Sequence, residues 1–316
     1  MTRKVSAYIV ASMVVAGALA SCSSGDDAGS VRDPAQAAPT SGEVQQASDD
    51  ELPSLNTSGK YPILEFPGDT PPEGLQVKIV EEGDGRVVEE TDYVVANYVG
   101  QVWGDPTPFD SSFERGQSTG FSLQQVIQGW TQGLSGLKVG THVILSIPSD
   151  LGYAQGNPSA GIAQGDTIAF YVEIVDAFGI GQAGDPNATE ETPLSELPVA
   201  YDGAIGSAVV NLKVKDGVSA PSEQRMTIIA RGSGEEIPAD ASVYLQYTLT
   251  SWDNEVANTT YGGQGPQMLT ISQDPMLEHL VGIPVGSRVL IEQPATENPR
   301  NPAVAVVLDV LGVQNQ

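Results

Sequence analysis

The stretch TPFDSSFERGQSTGFSLQQVIQGW, residues 107–130, holds the side chains most able to form a site: Phe109 beside Asp110, Arg115 five positions on, and Trp130 at the end of an apolar run. It supplies no activated nucleophile, because Ser111 and Ser112 have no paired histidine. His142 and His279 are isolated and no cysteine or histidine stands near them at metal-ligand spacing, so the sequence predicts neither a metal nor another cofactor.

The elements that must position them follow from periodicity. Leu123, Val126, Ile127, Trp130 and Leu134 recur at helical spacing and predict one short amphipathic helix, with Gly133 and Gly136 letting the chain turn out of it. Segments 93–102, 142–147 and 167–175 alternate or run β-branched and aromatic residues and predict strands. The expected fold class is α+β, a twisted antiparallel sheet wrapped around a single short helix.

An internal repeat doubles this unit. The segment VKIVEEGDGRVVEETDYVVANYVGQVWGD, from Val77, matches TIIARGSGEEIPADASVYLQYTLTSWDN, from Thr227. Gly83 falls on Gly232, Gly85 on Gly234, Tyr98 on Tyr247 and Trp103 on Trp252, all at an offset of 149. Farther on, GLKVGTHVILSIP matches GIPVGSRVLIEQP, and DTIAFYVEIV matches PAVAVVLDVL. Two stretches rich in Ser, Gly, Ala, Asp and Pro punctuate the chain. They bury too little apolar surface to offset chain entropy and are expected to be spacers. The expected boundaries are therefore 1–21 leader, 22–60 disordered linker, 61–180 first domain, 181–200 linker and 201–316 second domain.

The leader MTRKVSAYIVASMVVAGALASC has Arg3 and Lys4 before an uncharged apolar run, the pattern of a secretory signal peptide. Its end, LASC, resembles a bacterial lipobox, and Cys22 is the sole cysteine of 316 residues. Cys22 is thus the expected lipidation site, with an ordinary signal peptide as the alternative. Acylation would hold the exported protein on the outer face of the cell membrane by its lipid alone, at roughly 0.8 kcal/mol per buried methylene. Net charge is -26, and removing Arg3 and Lys4 leaves 12 basic residues against 40 acidic ones, which argues against nucleic acid as a partner.

The segments EEGDGRVV, VANYVG, FDSS, VIQGW, GLKVG, IPSDLGY and FYVEIV occur in the order and approximate spacing of FKBP-type peptidyl-prolyl isomerases, so residues 74–178 resemble that family. The resemblance implies two FKBP-like domains and an apolar proline pocket between sheet and helix. By position it implies Tyr98, Phe109, Asp110, Tyr153 and Phe170 as catalytic residues, and Arg115, Val126, Ile127, Trp130 and Ile162 as substrate-binding residues. Trp130 would form the floor, the Ile127 amide and Tyr153 hydroxyl would donate to substrate carbonyls, and Arg115 would orient the Asp110 and Tyr cluster. The implied partners are proline-containing exported polypeptides and macrolides of the tacrolimus class.

The sequence departs from the family pattern at Thr119, where an aromatic is common, which predicts a thinner pocket wall. The loop at 154–166 keeps Ile162 but lacks a proline-rich tip. In the second copy PFDSSF becomes VANTTY, so Ala257 and Asn258 replace Phe109 and Asp110, and Gly263 replaces Arg115. Met276 stands for Trp130, on a helix DPMLEHL with Asp274 as N-cap and Pro275 in its first turn. Val306 replaces Phe170, and the loop that carries Tyr153 is shortened away. The expected second domain is a degenerate scaffold. A non-catalytic chaperone or proline-binding lipoprotein is the rival to an isomerase.

Overall fold

The computed structural model describes residues 45–46, 50–273, 276–298 and 301–314. The leader and Cys22 lie outside the described residues, as do Asp274 and Pro275. Nine strands fall in the first half of the chain: β1 (Gln45–Gln46), β2 (Ser54–Asn56), β3 (Ile63–Glu65), β4 (Gln76–Glu81), β5 (Tyr93–Val102), β6 (Pro108–Ser111), β7 (Thr119–Ser122), β8 (His142–Ile147) and β9 (Ile168–Phe178). Nine follow: β10 (Thr189–Glu190), β11 (Val199–Tyr201), β12 (Leu212–Val214), β13 (Arg225–Arg231), β14 (Ser242–Ser251), β15 (Ala257–Thr259), β16 (Gln267–Thr270), β17 (Arg288–Gln293) and β18 (Val304–Gln314).

Two seven-stranded sheets carry the same wiring. The first runs β1-β4-β8-β9-β5-β6 with β7 also on β5, and the second β10-β13-β17-β18-β14-β15 with β16 also on β14. Pairing is antiparallel except between β1 and β4. Even the register defects recur at the offset read from the sequence: bulges lie at Val95/Ala96 and Tyr244/Leu245, and at Ile79/Glu81 and Ile228/Ala230. A bulge is set by local backbone chemistry and twist, so its recurrence extends the repeat from side chains to the backbone.

Helices are fewer and shorter than the spacing suggests. Only α1 (Ser112–Arg115) and α2 (Gln128–Leu134) are α-helical among the described residues. Leu123 is buried and Val126 and Ile127 are half-buried, but all three precede α2 in a turn. Gly133 lies inside α2, where an added Cβ would meet a Leu145 side-chain carbon at 2.9 Å, and at Gly129 it would meet Ile147 at 2.3 Å. These glycines let the helix settle against β8, and Gly136, at φ +84°, makes the exit. In the second half the expected helix is instead two 3-10 turns, Ile271–Gln273 and Glu278–Leu280, with Leu277 and Leu280 buried. Gly282, at φ +77°, closes the segment before an α-helix of useful length can propagate.

Both faces of each sheet are covered. Inside, Val94, Ala96 and Tyr98 of β5 pack with Leu145, Val172 and Leu134. Outside, the β2–β3 hairpin lays Leu64 on Val99, Ile144 and Ala169, and the buried Gln101 amide exchanges hydrogen bonds with the Leu64 backbone at 2.6 and 3.2 Å. Residues 50–60, expected to be disordered, therefore contain β2 and the buried Leu52. The segment at 181–200 is likewise not a free spacer. Its Leu197 and Val199 pack on the second sheet with β12, and Asp185 N donates to Gly286 O at 2.8 Å. A few well-spaced aliphatics suffice here because an existing sheet face lacks only a cover.

Candidate functional site

A cleft of about 490 Å³ lies between α2 and the inner face of the first sheet, lined by Tyr98, Phe109, Asp110, Phe121, Gln125, Val126, Ile127, Trp130, Tyr153 and Phe170. Strands β5, β6, β7 and β9, helix α2 and two loops bring these together, β7 supplying Phe121. Strand β5 supplies Tyr98, β6 supplies Phe109 and Asp110, and β9 supplies Phe170. The turn into α2 supplies Val126 and Ile127, and α2 supplies Trp130. Gly100 is what allows this assembly, since a Cβ there would meet Phe170 at 2.6 Å and Phe109 at 2.7 Å.

The rings meet edge to face, as their quadrupoles favour. Trp130 lies 5.3 Å from Phe170 and 5.5 Å from Tyr98, at 86° and 88°. Phe109 meets Phe170 at 5.6 Å and 87°. Trp130 is 4% exposed and its Nε1 is a buried donor with no hydrogen-bond partner.

One polar cluster stands at the rim. Tyr98 Oη donates to Asp110 Oδ2 at 2.5 Å, Arg115 Nη1 pairs with Asp110 Oδ1, and Arg115 Nη2 donates to Tyr98 Oη at 2.8 Å and Thr119 Oγ1 at 3.2 Å. Burial first, then the hydrogen bond to Asp110, pushes the Tyr98 phenol up to about 12. Burial pulls the Arg115 guanidinium down, but its bonds to Asp110 and Tyr98 outweigh that and leave it raised. The cluster thus fixes the aromatic wall without offering a proton near neutral pH.

The serines are scaffold. Ser111 caps α1 by accepting from Glu114 N, and Ser112 Oγ, fully buried, accepts from Tyr98 N at 2.7 Å. Among the described residues no cluster of three or more His, Cys, Asp or Glu forms a metal site. Ile127 lines the cleft at the N-terminal edge of α2, where backbone N–H groups have no intrahelical acceptor.

Of the residues singled out from the sequence, eight line the cleft and two do not. Arg115 lines an adjoining cavity of about 340 Å³ that shares Phe109 and Asp110. Ile162 is 2% exposed and packs in the core, its backbone bridged to Asn157 to close the loop that holds Tyr153. Phe121, absent from the expected lining, lines the cleft on the β7 side, 5.1 Å from Trp130 and 5.5 Å from Tyr98. The signal was present, because Thr119 and Phe121 are two apart on β7 and so share a face. Gln125 was also missed, being one of two adjacent glutamines in the turn that leads into α2.

In the second sheet the same registers hold different residues. Where Gly100 faces Asp110 and Phe170, Leu249 faces Asn258 and Val306. Leu249 and Met276 are buried in a closed core with Tyr247.

The family model for FKBP-type peptidyl-prolyl cis-trans isomerase matches residues 85–175. An FK506-binding protein of Streptomyces anulatus is 40% identical over 117 residues, spanning 36% of this chain and 94% of that protein. The chain belongs to the FKBP-type peptidyl-prolyl cis-trans isomerases. The FKBP-type isomerase FkpA of Escherichia coli K12 is 40% identical over 103 residues, covering 33% of this chain and only 37% of that relative. The crystal structure of FkpA from Escherichia coli aligns at 39% identity and TM-score 0.31, over 34% of this chain and 49% of that one. The FKBP match falls on the half that holds the cleft.

Proposed function

We propose that the cleft at Trp130 is the isomerase site and that it acts on X-Pro bonds of exported polypeptides. The carrying observation is an apolar, aromatic-walled cavity whose only ionic groups sit at one rim. Rotation about a peptide bond costs about 18 to 20 kcal/mol because it breaks amide resonance. X-Pro bonds exchange in tens to hundreds of seconds although their isomers are nearly balanced. Acceleration then requires only tighter binding of the twisted amide than of the planar one. A twisted amide has a less delocalised carbonyl and loses less when its water hydrogen bonds are stripped by Phe109, Phe170 and Trp130. The Ile127 amide and Tyr153 hydroxyl orient the substrate carbonyls.

Tyr98, Phe109, Asp110, Tyr153 and Phe170 are assigned to the reacting amide, and Arg115 to positioning Asp110 and Tyr98. In this reading 61–180 is the working domain, and 201–316 a degenerate copy in which Leu249 occupies the place of the slot. The leader and an acylated Cys22 put the protein on the outer face of the cell membrane, and intact mass of the mature N-terminus tests that. The full chain is expected to accelerate cis-trans exchange of an X-Pro peptide, with kcat/KM lowered about tenfold or more by Phe109→Ala or Asp110→Val, ~1.4 kcal/mol per decade. Tacrolimus is expected to compete. A folded chain that binds prolyl peptide without accelerating its exchange would show a grip rather than an enzyme.

A further inference from the structure

We propose that the second half of the chain braces the wall of the prolyl cleft, through Tyr244 and Gln314, and so sets how tightly substrate is held. This rests on the assignment of the cleft as the substrate site. The wall in question is β7, which carries Phe121 into the cleft and Thr119 to the Arg115 guanidinium. Among the described residues strand β7 hydrogen-bonds to β5 alone, so one of its edges has no described strand beside it. An edge with few partners is a low-stability segment unless something outside the sheet holds it.

The second half supplies that hold. Gln314, at the end of β18, donates from Nε2 to Ser118 O at 3.0 Å, one residue before β7. Its Oε1 in turn accepts from the Tyr244 hydroxyl, which fixes the direction of the amide. Tyr244 is 2% exposed, and its ring lies 5.1 Å from Phe178 and 6.1 Å from Tyr93. Tyr93 lies directly under β7, since a Cβ on Gly120 would come within 2.4 Å of its ring. Backbone and face of β7 are thus both tied to one aromatic cluster shared by the two halves. Without its own slot, the second half keeps a role as a rigid support.

The test uses the full chain. Gln314→Ala and Tyr244→Phe remove the two hydrogen bonds and leave Phe121, Thr119 and the ring packing in place. Backbone amides at 119–122 are expected to exchange with deuterium about tenfold faster, and KM for a prolyl peptide to rise about 3- to 10-fold with kcat unchanged. Lys215→Ala is the control, because Lys215 Nζ holds the Leu194 and Leu197 carbonyls far from β7. It should lower the melting temperature yet leave KM and β7 exchange as they were. Unchanged exchange and KM in both brace variants would overturn the proposal, as would an equal KM rise in Lys215→Ala. If the parent chain showed no isomerase activity, the exchange measurement alone would decide the brace, and that failure would fall on the assigned reaction.

Discussion

At the residue scale the site depends on Tyr98, which is at once a cleft wall and the centre of the rim cluster. Burial and the bond to Asp110 raise its pKa to about 12, against about 10 in an unfolded chain. The folded state therefore holds this proton more tightly than the unfolded one, and between those values the unfolded chain has bound fewer protons, so stability falls as pH rises. The contribution is complete below pH 10 and is lost as pH climbs to about 12. Urea midpoints of the parent and Tyr98→Phe should run parallel below pH 10, with only the parent losing this increment above it. The same reasoning gives no loss of isomerisation from Tyr98 ionisation at neutral pH. The two residues best read from the sequence were Phe109 and Asp110, because they are neighbours in one short motif, which the structure places on β6. Arg115 was legible as a partner but not as a lining residue, since that depends on where α1 points it.

At the element scale the decisive piece is the short helix α2, whose seven residues include Gly129 and Gly133. Glycine costs about 1 kcal/mol relative to alanine inside a helix, so two in so short a helix need a tertiary reason. The approach to Ile147 and Leu145 on β8 supplies it. Gly129→Ala is expected to destabilise the fold by about 1–3 kcal/mol in spite of better helix propensity, because the new methyl overpacks against Ile147. It should also lift Trp130 away from Phe170 and weaken prolyl-peptide binding, measurable by denaturant melts and by quenching of Trp130. Strand positions were readable to within a residue for β5 and β8, where β-branched, aliphatic and aromatic residues run together. The start of α2 was not, since apolar spacing alone does not distinguish a helix from the turn that leads into it.

At the scale of the whole molecule the repeat has diverged in what each copy buries. His142 pairs with Glu173 across β8 and β9, and at the matching register Arg288 pairs with Asp309, each 1% exposed. Arg288 also donates to the Ala204 and Ser207 carbonyls, and the Tyr261 hydroxyl donates to Asp309. Burial opposes the Arg288 charge, yet its hydrogen bonds and proximity to Asp309 outweigh that and keep the guanidinium raised. Removing one partner strands the other in an apolar interior, so Asp309→Ala is expected to cost about 3–5 kcal/mol. Guanidinium melts of the full chain should then show the second half unfolding before the first. The ion pair also fastens the segment around residues 204–207.

The sequence alone pointed to the long strands β5, β8 and β9, to matching segments in the two halves, to most of the aromatic set and to the family of the first half, because these reside in local periodicity and in ordered short motifs. Only the tertiary structure decided which residues open onto the cleft. Ile162 turned inward, and Leu249 filled the place that Gly100 keeps free. Those outcomes depend on side chains from strands distant in sequence meeting at one point, and no local pattern records that distance.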